Sequence, residues 1–131
     1  MADPLPTFYP VLRYRDAAAA IEWLCGAFGF SKLMVVPGET EGSIGHAELA
    51  FGTGVIMLGT GQGTAAPDVR FNAPYVFVED PDAHFARAKA AEAVTTREPN
   101  DTDYGSREYS ARDPEGNEWS FGTYRPAPAA E

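Results

Sequence analysis

His46 and Glu48 lie two residues apart in Ser43 to Phe51 (SIGHAELAF), where polar and apolar residues alternate. On an extended strand that spacing puts both side chains on one face, with Ala47, Leu49 and Phe51 on the other. An imidazole beside a carboxylate accepts a proton near neutral pH, so the pair is a candidate general base. It also offers two donors to a divalent cation. Zn, Ni, Fe or Mn takes about three or four N, O or S donors, so this pair alone leaves a metal's shell half empty. Cys25 falls in an apolar helical stripe and reads as packing, and His84 stands among Asp82, Arg87 and Lys89 on the expected solvated face of a helix.

The elements that would carry these groups come in two rounds. Phe8 to Tyr14 (FYPVLRY) reads as a strand, and Asp16 caps a three-turn helix begun by an alanine run. Ile21, Leu24, Cys25 and Phe28 recur at i, i+3, i+4 and i+7, and Gly29 ends the helix. Strands follow over Phe30 to Val36, Ser43 to Phe51 and Gly54 to Leu58, punctuated by Pro37-Gly38 and Gly52-Thr53-Gly54. After the polar GTGQGTAAPD stretch the order restarts, with a strand over Pro74 to Val78 and a helix over about Pro81 to Ala91, capped by Asp80. Val94 to Arg97, Arg107 to Arg112 and Glu118 to Tyr124 complete the round.

A shift of 64 residues places Tyr9 on Ala73 and Asp16 on Asp80, and a shift of 63 places Met57 on Ser120. The pattern predicts an α+β protein of two tandem βαβββ modules, 8–58 and 72–124, joined by a linker over 59–71 and followed by a flexible tail over 125–131, in one domain, 1–131. With a helix on one face of each sheet, the opposite faces are expected to form a concave cleft. Strand parity assigns to that cleft Tyr9, Val11 and Arg13, then Ile44, His46 and Glu48, then Val55 and Met57, then Tyr75 and Phe77, and finally Ser120. Tyr109, as the counterpart of His46 under the 63-residue shift, joins them. An aromatic and aliphatic lining with a few polar groups is the usual make-up of a small-molecule site.

Composition narrows the function. Ten Lys and Arg against nineteen Asp and Glu give a net charge of −9, which repels phosphate backbones and argues against nucleic acid. No apolar run reaches the roughly 20 residues of a spanning helix, and no basic stretch leads into an apolar one at the amino end. With one cysteine, Cys25, and hence no intramolecular disulfide, the expectation is a cytoplasmic protein with no membrane partner.

The start YPVLRYRDAAAAIEWL, the hairpin HAELAFGTGVIML and the near-terminal YGSREYSARDPEGNEWSF together resemble the glyoxalase, bleomycin-resistance and extradiol-dioxygenase superfamily, the vicinal oxygen chelate proteins. The resemblance runs from Phe8 to Tyr124. Arg107-Glu108-Tyr109, leading to Arg112-Asp113-Pro114 and Gly116-Asn117, looks most like the bleomycin-resistance branch. Catalytic members hold a divalent metal from the first and last strands of each module, and the resemblance carries those positions to Tyr9, Met57, Ala73 and Ser120. None of these is a normal ligand for such a metal. The resemblance therefore implies a binding protein without a metal cofactor, a homodimer that sequesters a small molecule, in this branch an antibiotic. Its ligand would be cationic or aromatic and would meet Tyr9, Arg13, His46, Glu48, Met57, Tyr75, Phe77, Tyr109 and Ser120. Two alternatives remain. One is an enzyme of lyase, isomerase or dioxygenase type using His46 and Glu48 as base or partial metal site. The other is a non-catalytic module whose cleft is filled by its own side chains.

Overall fold

The computed structural model describes residues 9–61 and 72–126, which fall in two compact units, Met1–Arg70 and Phe71–Glu131. The first contains β1 (Val11–Tyr14), α1 (Ala17–Trp23), β2 (Ser31–Pro37), β3 (Ile44–Phe51) and β4 (Gly54–Thr60). The second repeats that order with β5 (Tyr75–Phe77), α2 (Pro81–Ala90), β6 (Val94–Asp101), β7 (Arg107–Arg112) and β8 (Glu118–Gly122). The sheets run β1-β4-β3-β2 and β5-β8-β7-β6, so each unit closes a parallel pair, β1 with β4 and β5 with β8, and is otherwise antiparallel.

Local chemistry explains where the helices start. The side chain of Asp16 accepts from the Ala19 N–H at 3.1 Å, and that of Asp80 accepts from the Ala83 N–H at 3.1 Å, each satisfying a backbone donor that the first turn leaves over. The first helix is shorter as an α-helix than its periodicity predicts. After Trp23 it widens into a π-helical turn over Leu24–Phe28, and Gly29, at φ 87°, ends it in the left-handed conformation that glycine takes without strain. Its inward face still buries Ile21, Leu24 and Phe28 against Leu12, Ala47, Leu49 and Leu58 of the sheet. In the second unit Tyr109, Ala111, Trp119 and Phe121 take that place beneath α2. Each of the larger side chains contributes about 1.5–3 kcal/mol by leaving water.

The turn Asp113-Pro114-Glu115-Gly116-Asn117 is held by one buried carboxylate. Asp113 accepts from the backbone N–H groups of Glu115 and Asn117, from Asn117 Nδ2 and from Trp119 Nε1, all within 3.0–3.3 Å. Gly116 sits at φ 97°, and Asn117 Oδ1 accepts from the Asn72 N–H at 2.9 Å, tying the turn to the lead-in of β5.

Strand bounds shift at several points. β4 continues through Gly59 and Thr60, which the sequence reading assigns to the linker, because the chain still pairs there with β1. β6 runs on to Asp101, four residues past its expected end, across two register irregularities that the absence of alternation hides. The expected linker from 62 to 71 and the tail from 127 lie outside the described residues.

Candidate functional site

β1, β3 and β4 turn Leu12, Ala47, Leu49, Ile56 and Leu58 into the core beneath α1 and show their alternate residues to the opposite face. Cross-strand register sets Val11, Met57, Glu48 and Met34 in one row, and beyond it pairs Arg13 with Gly59 and His46 with Val36. His46 and Glu48 are therefore neighbours on one open face, as their spacing predicts, and His46 Nε2 lies 2.9 Å from Glu48 Oε2. Both are half-buried, framed by the exposed apolar side chains of Val11, Met34 and Val36. Arg13 lies along the same face, with its guanidinium near Gly59, where a Cβ would come within 3.4 Å of it. Tyr9 precedes β1 and is exposed.

The second sheet presents a different open face. Tyr75, Ser120, Ser110 and Arg97 share one row, and Phe77, Gly122, Glu108 and Asn100 share the next. Ser110 and Ser120 bond through their hydroxyls at 2.7 Å. Glu108, only 5% exposed, accepts from Arg97 Nη2 at 2.9 Å and from the Tyr104 hydroxyl at 2.9–3.0 Å. Burial by itself pushes this carboxyl up, but the bonds from Arg97, Tyr104 and Ser106 outweigh it and hold Glu108 below the ordinary glutamate value. Phe77 is covered on one side by the Arg125 guanidinium, 4.4 Å from its ring centre.

Tyr109 departs from the expectation. It pairs with Phe121, faces α2 and is fully buried, so it is not on the open face. Its hydroxyl lies 2.6 Å from His84 Nδ1, and burial holds the phenol well above its ordinary value. His84 also departs from the solvated position expected of it: it is half-buried, with its ring 4.3 Å from that of Phe121. The position on β7 that matches His46 is Glu108, since Glu48 pairs with Met57 on β4 as Ser110 pairs with Ser120 on β8, and His46 and Glu108 each stand two residues earlier on their strands. A 62-residue shift therefore relates β3 to β7, one less than the shift that placed Tyr109.

Residues 8–121 match the profile of the Glyoxalase/Bleomycin resistance protein/Dioxygenase superfamily. The chain belongs to this superfamily. An uncharacterised protein of Mycobacterium bovis is 32% identical over 126 residues, covering 89% of this chain and 82% of its own length. Among solved structures, TioX from Micromonospora sp. ML1 superposes with a TM-score of 0.74 at 32% identity, over 88% of this chain and 97% of its own. A glyoxalase I variant from Zea mays gives a TM-score of 0.73 at 22% identity, over 88% of this chain and 44% of its own, and shares the fold.

The superfamily's metal positions can be tested against this chain residue by residue. Tyr9 offers a phenol, Met57 a thioether beside Glu48, Ala73 no donor at all, and Ser120 a hydroxyl already bonded to Ser110. Among the described residues no three His, Cys, Asp or Glu side chains converge as a metal-binding group. This donor set does not fit a catalytic divalent metal. Among the described residues, no helix is long and apolar enough to cross a membrane. The sequence reading missed Arg97, Glu108 and Ser110, although the polar alternation of Glu108, Ser110 and Arg112 against Tyr109 and Ala111 already separates the two faces of β7.

Proposed function

We propose that this superfamily member is a small-molecule binding protein that works without a divalent metal, holding an aromatic compound on the open faces of its sheets. The observation that carries this is the replacement of the four metal positions by a phenol, a thioether, a methyl group and a hydroxyl, on sheets whose open faces keep half-exposed aromatic and aliphatic side chains. In the first unit Glu48 supplies a carboxylate for a cationic group of the ligand, with Tyr9, Arg13, His46 and Met57 around it. In the second, Tyr75, Phe77 and Ser120 supply stacking and a hydroxyl. A ring stacked on one of these aromatics gains about 1 kcal/mol beyond area burial. The reading extends to a cytoplasmic homodimer that sequesters its ligand, an antibiotic being the leading class. Leu33, Met34, Val35 and Val36 support the dimer, being four consecutive exposed apolar residues on an edge strand, which usually seeks a partner.

Elemental analysis of the purified protein and calorimetric titration with Zn, Ni, Mn and Fe(II) test it. No metal is expected to bind tighter than about 10⁻⁴ M, roughly 5.5 kcal/mol. Near one metal per chain would refute the reading. A thermal-shift screen of aromatic and cationic antibiotics then seeks the ligand. The 2.9 Å contact of His46 with Glu48 favours one second reading, an enzyme using that pair as base. His46→Ala separates the two: loss of turnover with binding intact supports the enzyme, and a change in affinity alone supports the binder.

A further inference from the structure

Two opposite charges stand close together on the open face of the first sheet without pairing. Arg13 is exposed, and among the described residues its guanidinium makes no hydrogen bond or ion pair. Its side chain runs from beside Gly61 to beside Gly59. A Cβ at Gly61 would meet Arg13 Cβ at 3.7 Å, and one at Gly59 would meet Arg13 Nη1 at 3.4 Å. Bare backbone at these two positions therefore lets the arginine lie along β4 on the open face, with five donors in a planar fork that nothing described occupies.

The carboxylate is Glu48. Its Oε2 takes the 2.9 Å contact with His46 Nε2, its Oε1 accepts from no described donor, and the side chain is 32% exposed. Glu48 pairs with Met57, two residues before Gly59, so the backbones of Glu48 and Gly59 are separated by one strand spacing and two residues, about 8 Å. That gap is too wide for a direct ion pair. It suits a molecule that carries both charges, because an ammonium and a carboxylate on one carbon, with a hydrogen bond at each outer end, span about 8–9 Å. Between the charges and beside them the face is apolar, with Met57 half-buried and Val11 exposed in the same row as Glu48.

We propose that this face binds an amphoteric compound, an α-amino acid with an apolar side chain or a larger molecule bearing that unit. Its ammonium sits on Glu48, its carboxylate on Arg13 and its apolar group over Val11 and Met57. This rests on the small-molecule binding reading and narrows it from a cationic group to a paired cation and anion. A ligand with only one of the two charges leaves the other protein group covered and unpaired, which is the source of selectivity.

L-phenylalanine is the probe, with phenethylamine and 3-phenylpropionate as counterparts that lack its carboxylate and its ammonium, titrated into ¹⁵N-labelled full-length protein and followed by NMR. Phenylalanine is expected to shift the Arg13 Nε–H resonance and the His46, Glu48 and Gly59 amides saturably, at least about tenfold more tightly than either counterpart. Arg13→Gln, at an exposed position, should weaken phenylalanine about tenfold and phenethylamine hardly at all; Glu48→Gln should weaken both amines and not phenylpropionate. The proposal is overturned if phenylalanine produces no saturable shift, or binds Arg13→Gln as tightly as the natural chain. If phenethylamine binds as tightly as phenylalanine, the amphoteric proposal fails while the reading of a cationic ligand stands. If none of the three binds, the proposal fails, and the metal titration and antibiotic screen decide the wider reading separately.

Discussion

Substituting Gly122 by alanine probes the buried centre of the second open face. Gly122 ends β8 opposite Glu108, and a Cβ there would lie 2.5 Å from Glu108 Cγ, 3.2 Å from its Cδ and 2.8 Å from the Tyr75 hydroxyl. Approaches under 3 Å are not tolerated, so the Glu108 side chain must move. Moving it breaks the bonds from Arg97 and Tyr104 and leaves a carboxylate that is 5% exposed without them. Losing one partner of a fully buried ion pair costs about 3–5 kcal/mol, and the half-exposure of Arg97 brings the expectation here to about 2–3 kcal/mol. Urea unfolding followed by circular dichroism should show that loss, with Tm lower by about 6–12 °C for a chain of this size. The same substitution in a Glu108→Ala background should cost at least about 1 kcal/mol less, because the atoms it strikes are gone. A loss below about 0.5 kcal/mol, or an equal cost in both backgrounds, would refute the idea that Glu108 is what requires glycine at 122.

Two further predictions follow from buried carboxylates. Asp113→Ala removes the acceptor of bonds from Glu115, Asn117 and Trp119 in a site that is 4% exposed, so it should cost about 3 kcal/mol in urea unfolding, more than any substitution at the exposed Pro114. Glu108 is held below its ordinary value in the folded chain, so the stability it adds is complete above the unfolded value, near pH 4.5, and is lost as pH falls through the folded value. The stability gap between the natural chain and Glu108→Gln should therefore stay constant from pH 8 to about 5 and narrow below about 4.5. A gap that held constant down to pH 2 would show that the charge of Glu108 contributes nothing.

Helix starts and the main turn could be read from sequence because their causes are local. The caps of Asp16 and Asp80 and the backbone bonds Asp113 makes to Glu115 and Asn117 all fall within four residues of the side chain that forms them. Faces of strands are harder, because side-chain direction has a period of two and a single deletion inverts it. The offset between the units is 64 residues from β1 to β5, 63 from β4 to β8 and 62 from β3 to β7. Carrying 63 onto β7 placed Tyr109 where Glu108 stands. Only the alternation within β7 itself, polar at 108, 110 and 112, could have shown the slip.

Arg97 was hidden for a related reason. Its strand reads VTTREPND, with no alternation, a proline and two register irregularities, so nothing in the segment marks Arg97 as facing the same way as Ser110. The two sheets thus share a topology that the core enforces, while their open faces have diverged, His46 with Glu48 on one and Glu108 with Arg97 on the other. Residues beneath the helices are constrained by packing, since a slip there would bury charge or expose Leu49 or Trp119. Those on the open face of the first sheet, His46 and Glu48 among them, are half-buried and carry less of that constraint. The same repeat can therefore keep its fold while exchanging a histidine for a glutamate at matching positions, and with it the charge of the group it can hold.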